Sequence, residues 1–203
     1  MRSLSEIDTI SKRALRAKGF SWGTSEEMGK SIKQLELFGL PGLKNLNQYL
    51  KIYDQNKFQQ IKLVSKTNIS KNKFHCPISS GIGFLDQIKS LEKMNSVEFN
   101  KIAYPILFLS FVSRASEVLG KKILLKMDEK EFILNFNQSI FGNYHKNEIW
   151  ENANNIFINF LDNNNSFSET EWKEMTKFAN ETFVDESDEL KEKSAGAGLT
   201  DND

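Results

Sequence analysis

The chain has 203 residues, 39% of them hydrophobic and 27% charged, with Lys+Arg and Asp+Glu at 27 each. The length points to one domain, with two small ones the alternative, and the apolar content is enough for a real core. A net charge of zero argues against a dedicated nucleic-acid binder, which needs a basic surface to neutralise phosphates, and against a polybasic membrane anchor.

The first third reads as helices. Ser3-x-x-Glu6 is a capping box, followed by Ile7, Ile10, Ala14 and Leu15 at helical spacing, with Gly19 to end the run. Thr24-x-x-Glu27 repeats the signal ahead of a stripe of Met28, Ile32, Leu35 and Phe38 closed by Gly39. Pro41 suits the first turn of a third helix carrying Leu43, Leu46, Tyr49 and Leu50, with Tyr53 at its end. Residues 55–72 are polar and rich in lysine and read as a loop with one edge strand around Ile61, Leu63 and Val64. This is the expected boundary between a helical part (about 1–54) and a mixed part (about 73–184).

Beyond it, Ser79-Ser80-Gly81-Ile82-Gly83 reads as a glycine-rich turn feeding a helix through Leu85, Ile88 and Leu91. Residues 105–119 fit either a buried helix or a central strand. Pro105 at the start and Gly120 at the end favour the helix. Residues 123–127 and 132–136 alternate about Asp128-Glu129-Lys130 as a hairpin, and Ile156–Phe160 is a further strand. Ser168-x-x-Glu171 opens a last helix with Trp172, Met175 and Phe178, and an acidic, Gly/Ala-rich tail follows from 185 to 203. The expected fold is α+β: an N-terminal helical segment packed with a small, mainly antiparallel sheet, then a C-terminal helix and the tail.

The longest apolar run, Ile106 to Val112, is too short to span a membrane. Glu6 and Asp8 near the start leave no room for a signal peptide, and a single cysteine cannot form an internal disulfide, so the cytoplasm is the expected location. The catalytic inventory is thin, with two histidines, one cysteine and four arginines. No spacing suits a metal, and neither metal nor cofactor is expected.

His75 beside Cys76 suggests a base and a nucleophile, but sequence neighbours on an extended chain face opposite ways, so a buried, inert Cys76 is favoured. Ser80, Gly81 and Gly83 would hold an anion on backbone N–H groups if the turn opens a helix, although a plain cap and turn is the favoured reading. Arg114 is a partner for a carboxylate such as Glu117 or an anion clamp, with the ion pair favoured. Trp22, flanked by glycines, lines a pocket or, as favoured, plugs the helical core.

The stretch from Gly19 to Gly29, followed by Gly39-Leu40-Pro41-Gly42, resembles the N-terminal signature of a bacterial family of uncharacterised proteins, domain-of-unknown-function family 3726. Cys76-Pro77-Ile78 and the ending Gly196-Ala197-Gly198-Leu199-Thr200-Asp201-Asn202-Asp203 are also similar to that family. The chain departs from the family pattern before the tail, at Phe183-Val184-Asp185, and has no arginine after Ser187. The resemblance carries no reaction, but it implies that the tail is a patterned element. Gly196 and Gly198 would let it thread a narrow space, and Thr200, Asp201, Asn202 and Asp203 would form an anionic plug. The function expected from these features is a non-catalytic accessory protein of small-molecule metabolism that docks on a protein partner through the tail. The alternative is a small-molecule enzyme whose site the tail covers.

Overall fold

The computed structural model describes residues 2–144 and 148–182. Cα packing divides the chain into two compact units, Met1–Asn163 and Asn164–Asp203.

The first unit begins with three helices, α1 (Leu4–Ala17), α2 (Trp22–Leu37) and α3 (Gly42–Ile52). Ser3 and Glu6 close the expected capping box on α1. The cap of α2 lies three residues earlier than the sequence signal. Ser21 Oγ accepts from Thr24 N, so Ser21 rather than Thr24 ends the link that Gly19 (φ 89°) reverses. Glu27 is thereby free to face another element. Gly42 begins α3 directly against Leu35, whose Cβ an added side chain would approach to 2.7 Å, so the second glycine motif brings α3 close to α2.

Next come β1 (Thr67–Asn68), α4 (Pro77–Asp86), the short α5 (Ile88–Leu91), a 3-10 turn at Glu92–Met94 and β2 (Ser96–Ala103). They are followed by α6 (Pro105–Leu119), β3 (Ile123–Met127), β4 (Lys130–Asn135), β5 (Ser139–Gly142) and β6 (Asn152–Phe160). The strands form one sheet in the order β1-β2-β6-β3-β4-β5, antiparallel except for β1 beside β2. The fold is therefore α+β, with a mixed, mostly antiparallel six-stranded sheet.

The 105–119 ambiguity resolves as a helix. Pro105 sits in its first turn and Gly120 closes it at φ 62°. Eleven of its residues are buried, and the core lies between α6, α4 and one face of the sheet. Alternation sends Val97, Phe99, Ile123, Leu125, Phe132, Leu134, Ile156 and Ile158 to that face. Each such fully buried side chain contributes about 1.5–3 kcal/mol through the apolar area it removes from water. The β3–β4 hairpin has a tighter turn than expected. Asp128 takes φ 49°, and its carboxylate accepts the N–H groups of Asn154 and Asn155 on β6.

Three local expectations fail. The edge strand is Thr67–Asn68, not Ile61–Val64, because Val64 turns inward and its N–H donates to the Gln87 side chain. Ser79–Gly83 is not a turn before a helix but the middle of α4, whose N-cap is Cys76. Strand β2, second from one edge of the sheet, is absent from the sequence reading.

The second unit contains α7 (Glu169–Asn180), opened by the expected Ser168–Glu171 capping box. None of its residues is buried. The tail from 185 to 203 lies outside the described residues, as does His145.

Candidate functional site

His75 and Cys76 lie on an extended stretch stitched to the end of β2. His75 N–H donates to Lys101 O at 2.7 Å, and Ala103 N–H donates to His75 O at 3.1 Å. The two side chains part as alternation demands. The His75 ring is buried edge-on to Phe99, with centroids 5.9 Å apart, and neither ring nitrogen is hydrogen-bonded. Burial pushes its pKa below the usual histidine range, against a smaller opposing pull from Asn68 and Asn100. The Cys76 sulfur accepts from Ser79 N–H at 3.4 Å and meets the Tyr49 hydroxyl at 3.0 Å. Burial and the neighbouring sulfur raise the Tyr49 pKa, so the phenol stays protonated. A phenol and a backbone N–H are not bases, and nothing here activates a nucleophile.

Arg114, on α6, pairs with Glu27 on α2 at 2.5 Å rather than with Glu117, which accepts from Asn137 at 2.8 Å. Burial alone would raise the Glu27 pKa. Lys30 and Arg114 together hold it below the usual carboxylate range. Nη2 thus joins α2 to α6, while Nη1 is buried without a hydrogen-bond partner.

Ser80 and Gly81 are buried in α4, and a Cβ on Gly81 would lie 2.1 Å from the Phe111 ring. Gly81 therefore serves the close approach of α4 to α6, and no backbone N–H at this point inside a helix is available to an anion. Trp22 does not plug the core: it is 63% exposed, with the Arg16 guanidinium 4.7 Å above its ring. Phe20 fills the core instead. His75, Cys76, Arg114 and Trp22 are not brought together, and the tail residues Gly196, Gly198, Thr200, Asp201, Asn202 and Asp203 lie outside the described residues.

The structure gathers a different set. A cleft of about 640 Å³ opens between the Gly19–Thr24 link, the end of α3, residues 60–62 and the outer side of α4. One wall is aromatic, with the Phe20 and Tyr53 rings 4.4 Å apart. Burial, with Cys76 and Asp54 adding, raises the Tyr53 pKa, so its hydroxyl remains a donor. On the other side Ile61, Ile78 and Ile82 meet Ser79, whose hydroxyl accepts Ile61 N–H at 3.3 Å, and Gly83 lies beside the Lys62 carbonyl. Gln60 Nε2 is buried with no hydrogen-bond partner. Two sequence signals fall at this place, the Gly19–Gly29 signature and the Ser79–Gly83 motif, whose Gly83 lines the cleft. Gln60 and Lys62 sat unremarked in a polar loop.

A second groove, of about 670 Å³ and largely apolar, runs between α1 and α3 past Leu40 and Pro41. In the other unit, α7 carries Trp172, Met175 and Phe178 on one stripe, each more than half exposed, and Phe167 stacks on Trp172 at 5.5 Å. No group of His, Cys, Asp and Glu among the described residues could hold a metal, and no helix among them is long and apolar enough to cross a membrane.

Residues 2–74 match the family model described as Protein of unknown function (DUF3726). Both glycine signatures and much of the cleft lie inside it, whereas Cys76–Ile78 and the tail lie outside. No curated protein and no solved structure matches the chain.

Proposed function

We propose that this chain is a non-catalytic accessory protein of cytoplasmic small-molecule metabolism, and that it works by docking on a protein partner through its C-terminal segment. The observation that carries this reading is the dispersal of its chemistry-bearing residues. Cys76 caps a helix behind Tyr49, His75 is sealed against Phe99, and Arg114 is held by Glu27. An enzyme built on these groups would need at least two of them at one reacting atom.

The docking half of the proposal draws support from α7. An amphipathic helix that keeps Trp172, Met175 and Phe178 exposed has the pattern a groove on another protein reads at successive turns. Trp and Phe are also residues that concentrate binding energy when buried at an interface. The tail that follows adds an acidic element for a basic patch beside such a groove.

The test compares N-terminally tagged full-length chain, a chain ending at Ser194, and Trp172→Glu. Proteins held by the full chain are identified by mass spectrometry and then rebuilt as a complex from purified components. A purified partner that binds the full chain and is weakened by both changes is the expected result. Equal binding by all three forms removes the C-terminal docking, and the absence of any reconstituted partner removes the interaction reading.

A further inference from the structure

We propose that the cleft beside α4 is a binding site for a free α-amino acid with a large apolar side chain. This does not rest on the partner-docking reading, and it gives the family signature at residues 19–24 a task.

Three features of the cleft carry the inference. The first is its floor: Tyr53, Ile61 and Ile82 are only half-buried and face the space, so an apolar side chain laid on them removes water from both surfaces. The cleft is of small-molecule size, and its lining is divided between apolar and polar surface, as an amphipathic ligand requires.

The second is charge. One cation, Lys62, and one anion, Asp86, line the cleft. Neither makes an ion pair or a side-chain hydrogen bond with another described residue. They are not paired with each other either. A ligand that is only anionic meets Asp86 at a cost, and a purely cationic one meets Lys62. A zwitterion satisfies both, with its carboxylate toward Lys62 and its ammonium toward Asp86.

The third is Gln60. Its Nε2 is buried in the lining without an acceptor, an unfavourable state that a ligand oxygen would relieve. A ligand carboxylate has two oxygens, one for Lys62 and one for the Gln60 amide. The Tyr53 hydroxyl, kept protonated by burial, is a further donor in the cleft.

The experiment titrates full-length protein by calorimetry with L-phenylalanine, with 3-phenylpropanoate (no amine) and with phenethylamine (no carboxylate). Phenylalanine should bind, and each truncated probe should bind about tenfold or more weakly, the size of one lost charge-assisted contact. Lys62→Met should abolish the advantage of phenylalanine over phenethylamine. Asp86→Asn should abolish its advantage over phenylpropanoate. Both side chains are exposed, so neither change threatens the fold. Gln60→Leu removes an unpaired buried donor and should keep or raise the melting temperature while weakening phenylalanine. The proposal is overturned if phenylalanine gives no heat up to its solubility limit, if either truncated probe binds as well as it does, or if the three variants bind it like the parent.

Discussion

His75 shows how little a side chain's identity says about its role until its surroundings are known. On the sequence it stands beside the single cysteine and looks like a base. In the fold it is a neutral, buried ring against Phe99. The consequence is a stability effect. An unfolded histidine takes up a proton below about pH 6.5, whereas the folded chain, with its lowered value, does not. Protonation then favours the unfolded chain, so this contribution is fully present above that pH. It is lost as the pH falls from about 6.5 toward the lower folded-state value. His75→Gln should show a flatter melting temperature between pH 7 and pH 5 than the parent, with no change in the difference between the two above pH 7. Circular-dichroism melts across that range check this, and parallel profiles would reject it. The neighbouring positions carry a related lesson. The opposite-faces argument anticipated that His75 and Cys76 would not meet, but no rule of spacing could announce that Glu27, eighty-seven positions away, would take Arg114.

Elements were legible where local signals agreed with the packing. Three N-terminal helices, the β3–β4 hairpin and the last helix follow from capping residues and periodicity that the tertiary structure leaves intact. The misread elements are those where the local signal was neutral or false. Strand β2 carries Asn100 and Lys101 at its centre, and Lys101 adopts φ 53°, so its alternation breaks where a strand reading would need it. The two glycines of α4 look like a turn because glycine is a poor helix former. The reason for Gly81 is tertiary: at that position the helix lies against α6 at a distance that only a missing side chain permits. Gly81→Ala tests this directly. A helix-propensity argument predicts a small gain, whereas the 2.1 Å approach to Phe111 predicts a loss of about 1–3 kcal/mol from overpacking. Urea denaturation of the variant decides between them, and a stability equal to or above the parent's would remove the close-packing account of α4.

For the whole molecule, the fold class was open to inspection and the candidate site was not. A class follows from counting helices and strands, but a cleft is made where distant segments meet. Here a link at 19–24, a helix end at 53, a loop at 60–62 and a helix at 78–86 converge. The first and the last of these carried motifs, and nothing in the sequence joined the two. The division at Asn163/Asn164 falls within Asp162-Asn163-Asn164-Asn165-Ser166, a polar run between a strand and a helix that the sequence reading did not take as a boundary. A chain ending at Asn163 should retain the melting temperature of the main transition of the full-length protein, measured by calorimetry. A shortened chain that melts lower or without cooperativity would mean that the first unit depends on the second.

The sheet's two borders have a further consequence. An exposed strand border is a template on which another copy can add itself, and long flat borders lead to insoluble assembly. Here one border is β1, two residues long, and it emerges from a segment holding Lys62, Lys66, Lys71 and Lys73. A two-residue border offers an approaching chain little backbone to pair with, and the ammonium groups beside it repel another copy of the same segment. The other border, β5, is four residues long and ends at Gly142, against the Phe132 ring. The lysine-rich stretch that contributes almost nothing to the core thus helps to keep a sheet with a phenylalanine-rich interior dispersed in water.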